Sequence, residues 1–396
     1  MHPLWKMYMI SGAEFSCPGI DSVEVITLNI RSTIRSSVVA GCLVILILDS
    51  RTAMAGAAAG IDICIRTLIP SLFPFFVLSI LLTGALIGQP IRFLRPVAKL
   101  CRIPAGCESL LAIGFLGGYP VGAQNIAFAW EQGSLSSEDA QRMVAFCTNA
   151  GPAFNFGFLG QIFQNPLLPW LLWMTHMTSA IAVGFLLPGG IYSNSPLPRA
   201  RNLTLSGAVD KSVRVIAQVC SWVILFRMIL EFLRGWFLDF IPPAIQIMLT
   251  AFLELANGCL LLQKLPSDGL KFILSAVMLG FGGVCVYLQT QSISGSISLR
   301  LYIPGKLLQG CLSFLLSYPI QFFFQSGDRI RISPFFVGAM LIATILTSVI
   351  LRNFKKSVAI SGNILYNEKS CEKRRTPCCS GRKSKDPVPT AFTAPN

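Results

Sequence analysis

Long apolar runs dominate the chain. They lie at 67–88, 107–130, 142–163, 166–188, 210–233, 243–262, 270–290, 305–325 and 333–351, and a weaker run covers 36–48. A helix needs about 20 apolar residues to cross a hydrocarbon core. Helices and closed barrels are the structures that satisfy their own backbone there. The pattern predicts an all-α polytopic membrane protein with about eight to ten membrane segments.

Composition supports a membrane protein and gives no sign of an enzyme. Hydrophobic residues make up 53% of the chain and charged residues 13%, whereas soluble domains carry about 25% charged residues. No hydrolase, metalloprotease or P-loop motif is present, and the two histidines are His2 and His176. We expect a hydrogen-bonded core role for His176, and we expect no cofactor, no metal site and no catalysis.

The net charge of +14 is unevenly distributed and indicates topology. Loop 89–106, the loop at 191–209 and the tail at 352–396 are basic, so the positive-inside rule places all three in the cytoplasm. The tail is predicted to be disordered, and nothing around it indicates nucleic-acid binding. Five regions result: an N-terminal extension (1–35), a first transmembrane half (36–190), the cytoplasmic loop (191–209), a second transmembrane half (210–351) and the tail (352–396).

Three apolar runs separate the two basic loops, so one of these runs must enter and leave the membrane by the same face. The run that contains "GGYPVGAQ" at 117–124 carries two glycines and a proline, which interrupt a helix. We predict a re-entrant hairpin there, beside a cavity, because irregular backbone at membrane depth is tolerated only against protein or water. The alternative is that small residues let helices pack closely.

A related stretch, "GGVCVYLQ", occurs at 282–289 and predicts a second re-entrant break. It shares with 117–124 the glycine pair, the following valine and the closing glutamine. Two related halves with interrupted helices are a common way to build a transporter site at the bilayer midplane. The arrangement of the halves stays open, although the basic residues of the second half, such as Lys264 and Lys271, favour a parallel repeat.

Polar residues inside the apolar runs are candidates for the site. Glu254, in "FLELANGC", is an acid at membrane depth, where charge is costly and commonly functional. Asn149 and Asn257 each stand close to a glycine that favours a helix break. For the asparagines and glutamines, interhelical hydrogen bonding is the alternative role. Arg227 and Glu231 are four residues apart, which predicts a local ion pair.

The motifs "LLAIGFLGGYPVGAQ", "EQGSLSSEDAQRMVAFCTNAGPAF", "FLELANGC" and "GFGGVCVYLQTQSI" resemble the YlbJ-type sporulation integral membrane proteins. That family contains a gate domain shared with nucleoside transporters, spore maturation proteins and the ferrous-iron transporter. The resemblance covers about residues 36–350 and implies transport of dipicolinic acid across the outer forespore membrane. Gln124 stands where the family often has a basic residue, and Thr148 where asparagine is common, so a dianionic substrate is less firmly implied.

The sequence therefore predicts a transporter of a small organic anion, with dipicolinate as the first candidate. The alternatives are a transporter of a nucleoside-like solute and a non-transporting scaffold or assembly factor of the spore envelope. Expected partners are the anionic substrate and the lipid bilayer, with a homo-oligomer left open. The predicted substrate-binding residues are Gly117, Gly118, Tyr119, Pro120, Gln124, Asn149, Gly151, Asn257, Gly282, Gly283 and Gln289. The predicted coupling or gating residues are Glu254, Arg142 and Lys306.

Overall fold

A computed structural model describes residues 21–189 and 203–320. Side chains are described from residue 32 onward. The predicted run at 333–351, the tail and most of the basic loop at 191–209 lie outside these ranges. Within them the chain is helical and contains no strand.

The helices are α1 (Asp21–Leu48), α2 (Ser50–Ile63), α3 (Ile69–Leu86), α4 (Arg95–Leu100), α5 (Glu108–Gly117), α6 (Val121–Glu131), α7 (Ser137–Cys147), α8 (Leu168–Leu186), α9 (Leu205–Trp236), α10 (Pro243–Leu253), α11 (Leu255–Leu261), α12 (Asp268–Phe281), α13 (Val284–Ile293) and α14 (Tyr302–Ile320). A π-helical turn, Cys64–Leu68, joins α2 to α3, and another, Ala153–Phe158, follows α7.

Three helical spans in the described ranges are long and apolar enough to cross a membrane: Ser50–Leu86, Leu205–Trp236 and Asp268–Ile293. Shorter apolar helices accompany them. Many large apolar side chains on α1, α2 and α9 face outward, as expected for a lipid-facing surface. The predicted all-α membrane fold is confirmed. The first long span starts well before the predicted residue 67, because the small residues of α2 extend the helix against α9.

The α5–α6 pair forms a helical hairpin at the break where the sequence predicts a re-entrant one. Gly118, between the two helices, has φ +68°, which favours glycine. A Cβ built on Gly122 would lie 3.2 Å from the Cα of Gly114, eight residues earlier. In one continuous helix these residues would be about 12 Å apart. The α6 helix therefore folds back along α5.

The second hairpin is α10–α11, and its turn is at Glu254. A Cβ built on Gly258 would overlap Ala251, so α11 also folds back on the helix before it. The sequence prediction of a re-entrant turn at Gly282 and Gly283 is wrong. Both glycines have positive φ, but α12 and α13 continue as one interrupted span of 26 residues. A glycine pair permits a change of helix direction without imposing a reversal.

Two ends of the helical bundle can be named by the residues they carry. At the Arg102 end, Arg102 Nη2 donates to the carbonyl of Phe185, near the end of α8, at 2.7 Å. At the Asp268 end, the backbone N–H of Gln164, just before α8, donates to Asp268 Oδ2 at 3.1 Å. The α8 helix therefore runs toward the Arg102 end, and α12 starts from the same end as α8.

The α7 and α14 helices run in the opposite direction. Midway along α7, Arg142 Nη2 donates to the carbonyl of Arg102 at 2.6 Å, whereas the segment that follows α7 contacts His176 in the middle of α8. Near the start of α14, a Cβ built on Gly305 would lie 3.1 Å from the Cβ of Ala145 and 3.7 Å from Val183 Cγ1. Both helices therefore begin at the Arg102 end.

The two hairpins open at opposite ends of the bundle. Cys107 and Ser134, at the open end of the first hairpin, are joined by a thiol-to-carbonyl contact of 3.7 Å close to Arg102. In the second hairpin, Gln246 and Lys264 line one cavity close to Asp268. Lys264 thus lies at the end away from loop 89–106. The parallel repeat that the sequence favours assumes a second hairpin at Gly282, whereas the two observed hairpins open at opposite ends.

Candidate functional site

Each hairpin tip contacts a break in the crossing helix that follows it in the chain. In the first junction, a Cβ built on Gly118 would lie 2.7 Å from the backbone nitrogen of Gly151, in the unwound segment 148–151 after α7. In the second junction, a Cβ built on Gly283 would lie 2.9 Å from the carbonyl oxygen of Ala251, near the end of α10. Neither position has room for a side chain.

A buried polar network surrounds the first junction. Lys306 Nζ, on α14, donates to Asn149 Oδ1 at 3.1 Å and to Gln309 Oε1 at 2.8 Å. Gln309 Nε2 donates to the same oxygen of Asn149 at 2.9 Å. His176 Nε2 accepts from the backbone N–H of Ala150 at 3.1 Å, so α8 satisfies a donor that the break leaves free. The network connects α14 and α8 to the unwound segment.

Lys306 is 1% exposed, and its described hydrogen-bond partners are uncharged amide oxygens. None of the ion pairs among the described residues includes it. An ammonium at membrane depth is expensive and generally marks a functional position. The Tyr302 ring, 5.9 Å from Nζ, adds a weak cation–π contact.

Glu254 stabilises the tip of the second hairpin. Its carboxylate caps α11 by accepting from the backbone N–H groups of Ala256 at 3.0 Å and Asn257 at 2.6 Å. The Asn257 amide adds a third hydrogen bond at 2.7 Å. Glu254 is 3% exposed and forms none of the ion pairs of the described residues. The two junctions thus contain one buried cation and one buried anion that do not pair with each other.

A narrow central cleft of about 40 Å³ lies between the two hairpin tips. Tyr119 from the first tip, Glu254 from the second tip and Gln289 of α13 supply its polar groups. The Tyr119 hydroxyl is buried without a described hydrogen-bond partner. Its apolar lining includes Phe76 and Phe154. The structure brings together three of the predicted site residues in this cleft, and it places Gly118, Gly151 and Gly283 at the junctions beside it.

Other predicted residues lie elsewhere. Gln124 is exposed and lines a separate cavity beside Lys211. Arg142 is fully buried and donates to the carbonyls of Cys101 and Arg102, each at 2.6 Å, so it ties loop 89–106 to α7. Asn257 lines a polar cavity behind the second hairpin, described below. Gly117, Pro120 and Gly282 flank the breaks without lining the cleft.

Sequence reasoning missed the contribution of α8 and α14 to the first junction. The sequence pattern does not single out Gln309, and it predicts only a core role for His176. The available signal was polarity within apolar runs: Gln309 falls three residues after Lys306, on the same helical face. Contact of that face with Asn149 depends on helix packing.

Comparisons with known proteins support the resemblance. The chain is 26% identical to the sporulation integral membrane protein YlbJ of Bacillus subtilis (strain 168), over 63% of this chain and 73% of that protein. No family model matches the chain. No solved structure matches it either. The chain is therefore a relative of the YlbJ-type sporulation integral membrane proteins.

Proposed function

We propose that this protein is a membrane transporter of a small organic anion, with dipicolinate as first candidate, in the outer forespore membrane of sporulating cells. The observation that carries the proposal is the pair of junctions, each built from a hairpin tip and a broken crossing helix. Interrupted helices at a central cavity are the usual construction of a transporter site. The similarity to a sporulation integral membrane protein supports the cellular setting.

We further propose that the two halves are an inverted repeat. The α5–α6 hairpin opens at the Arg102 end, and the α10–α11 hairpin opens at the Asp268 end. The crossing helices α7 and α12 start from opposite ends. Such halves can give the cleft alternating access to the two sides of the membrane. Movement of one hairpin opens the cleft to one side, while the other hairpin keeps it closed to the opposite side. Loop 89–106 is basic, so the Arg102 end is assigned to the cytoplasm.

Within this proposal, Glu254 carries a coupling proton. Its carboxylate is buried at the cleft wall with uncharged hydrogen-bond partners. Protonation would remove one acceptor oxygen from the cap of α11 and weaken the hold on the hairpin tip. It would also remove negative charge from a cleft that has to accept an anion.

One observation favours a neutral solute as second candidate. No lysine or arginine lines the central cleft as described, and Glu254 does. A nucleoside-like solute would stack on the aromatic lining and use Tyr119 and Gln289 as hydrogen-bonding groups. The substrate test must therefore include a nucleoside.

The test is uptake of labelled dipicolinate and labelled uridine into proteoliposomes that contain the purified full chain. Saturable dipicolinate uptake that Gly118→Leu abolishes is the expected result, because leucine cannot adopt φ +68° against Gly151. Gly235→Leu is the matched control, since nothing lies within 4 Å of its added Cβ. Glu254→Gln should retain folding and lose the dependence of uptake on an imposed proton gradient.

Uridine uptake without dipicolinate uptake would move the assignment to the second candidate. If the folded protein transports neither solute, the result favours the scaffold alternative. Deletion of residues 360–396 then tests that alternative. Sporulation should fail without this basic segment if the protein is a scaffold that docks through it. It should largely survive if the protein is a transporter.

A further inference from the structure

A second cavity lies behind the α10–α11 hairpin and has no role in the site described so far. Its volume is about 430 Å³, and we call it the vestibule. Its lining comes from the end of α2, from α9 and from the hairpin. Its polar and charged lining residues are Arg227, Arg234, Asp239, Gln246, Thr250, Asn257 and Lys264.

Charges on one face of α9 form the vestibule wall. Arg227 Nη2 lies 3.0 Å from Glu231 Oε2, which confirms the ion pair predicted from their spacing. Arg234 lies 3.4 Å from the same Glu231 oxygen and 3.4 Å from Asp239 Oδ1. Charged side chains on a membrane helix are costly and usually face a water-filled path. The wall is therefore expected to be hydrated.

The vestibule lining carries three cationic side chains, Arg227, Arg234 and Lys264, and one acidic side chain, Asp239. Glu231, beside the lining, pairs with both arginines, and Glu254, at the wall of the central cleft, interacts electrostatically with Arg227. Arg227 Nε is buried without a hydrogen-bond partner, and Lys264 takes part in none of the ion pairs among the described residues. Two cationic groups are thus left with unused donors.

The position of these cations is also unusual for a membrane protein. The vestibule lies at the Asp268 end, whereas loop 89–106 lies at the Arg102 end. The positive-inside rule concentrates lysine and arginine on the cytoplasmic side, so insertion topology does not account for cations at the opposite end.

The inner limit of the vestibule is the hairpin tip itself. Asn257 lines the vestibule, and its side-chain amide donates to Glu254 Oε2 at 2.7 Å. Glu254 in turn lines the central cleft. A movement of the α10–α11 hairpin would therefore join the two cavities.

We propose that the vestibule is an anion-binding site for carboxylates, held by Arg227, Arg234 and Lys264, on the path between the central cleft and the Asp268 end. This inference rests on the proposed function for the identity of its ligand, an aromatic dicarboxylate. The sign of the charge in the vestibule and the access of water to it can be measured without a transport assay.

The test uses cysteines placed in the vestibule of the full-length protein: Asn257→Cys at its inner limit and Gln246→Cys on α10. Each is modified with an anionic and a cationic methanethiosulfonate reagent, and the native protein gives the background from its own cysteines. Gln132→Cys, exposed at the open end of the first hairpin, gives the reference ratio of the two rates. Gln246→Cys keeps the test decisive if Asn257→Cys disturbs the hairpin.

The anionic reagent should be favoured at vestibule positions by about tenfold or more over the reference ratio, because a charged cleft concentrates counter-ions. The preference should fall at high salt. Dipicolinate should slow the labelling. Lys264→Gln combined with Arg234→Gln should abolish the preference, whereas Arg214→Gln, in an exposed pair near the start of α9, should leave it unchanged.

Equal relative rates for the two reagents, absence of labelling at both positions, or labelling that dipicolinate does not slow would overturn the proposal. If only the transport proposal is wrong, the native protein moves no dipicolinate in liposomes, while the vestibule still prefers anionic reagents. If only the vestibule proposal is wrong, the protein that carries both Lys264→Gln and Arg234→Gln transports dipicolinate with an unchanged KM.

Discussion

Lys306 shows how the cost of a buried charge depends on its partners. Its ammonium has hydrogen bonds to Asn149 Oδ1 and Gln309 Oε1, and Asn149 Oδ1 has a second donor in Gln309 Nε2. Amide oxygens return only part of the hydration energy that a buried ammonium loses. Lys306 is therefore expected to cost stability, which favours a functional role for this side chain at the first junction.

Lys306→Met is therefore expected to melt at the same or a higher temperature than the native protein, because the side chain keeps its length and loses its charge. Uptake should fall by about tenfold or more, equivalent to about 1.4 kcal/mol of lost transition-state stabilisation. Differential scanning fluorimetry in detergent and proteoliposome uptake measure the two effects. Leu307→Met, on the exposed face of the same helix, is the control. A destabilised variant with unchanged uptake would assign Lys306 a purely structural role.

At the scale of elements, glycines decide which helices approach closely. Gly56 and Gly60 on α2 face α9, and Cβ atoms built on them would lie 2.7 Å from the Cα of Met228 and 2.8 Å from the Cα of Ile224. Small residues four apart are a common means of close helix packing in membranes. This contact fixes α9, and with it the arginines of the vestibule wall.

Gly60→Leu should destabilise the protein by about 1–3 kcal/mol, because the added side chain must force α9 away. Gly41→Leu, where nothing lies within 4 Å of an added Cβ, should leave stability unchanged. Thermal unfolding of the purified variants measures the difference. Equal melting temperatures for the two variants would contradict the close packing of α2 on α9.

At the scale of the whole molecule, the orientation of the two hairpins determines how the cleft would open in the proposed transport cycle. The first hairpin opens at the Arg102 end and the second at the Asp268 end. In a parallel arrangement the open ends of both hairpins would face the same compartment. Movement of either hairpin would then open the cleft to that one compartment.

Cysteines at the two open ends test this orientation. Gln132→Cys and Gln263→Cys are both exposed, at the first and second hairpin respectively. An impermeant thiol reagent added to sealed cells should label Gln263→Cys, and labelling of Gln132→Cys should require access to the cytoplasmic side. The native protein serves as background. Labelling of both positions from the same side would restore the parallel arrangement.

The sequence alone determined the class of this protein and much of its local structure. Apolar runs of sufficient length predict membrane helices, because a helix is what satisfies the backbone in lipid. The position of the first hairpin followed from the GGYP break. The Arg227–Glu231 pair followed from spacing on one helix. These features depend on neighbouring residues and on the solvent, so the chain specifies them locally.

Only the tertiary structure decided where the chain reverses in the second half and which residues meet. The matching glycine pairs at 117–118 and 282–283 suggested equivalent turns, yet one lies in a hairpin and the other in a crossing helix. The second hairpin depends on the fit of Gly258 against Ala251, and the first junction on Lys306 reaching Asn149, 157 residues away. Such contacts are set by packing between helices distant in sequence, and no local pattern encodes them.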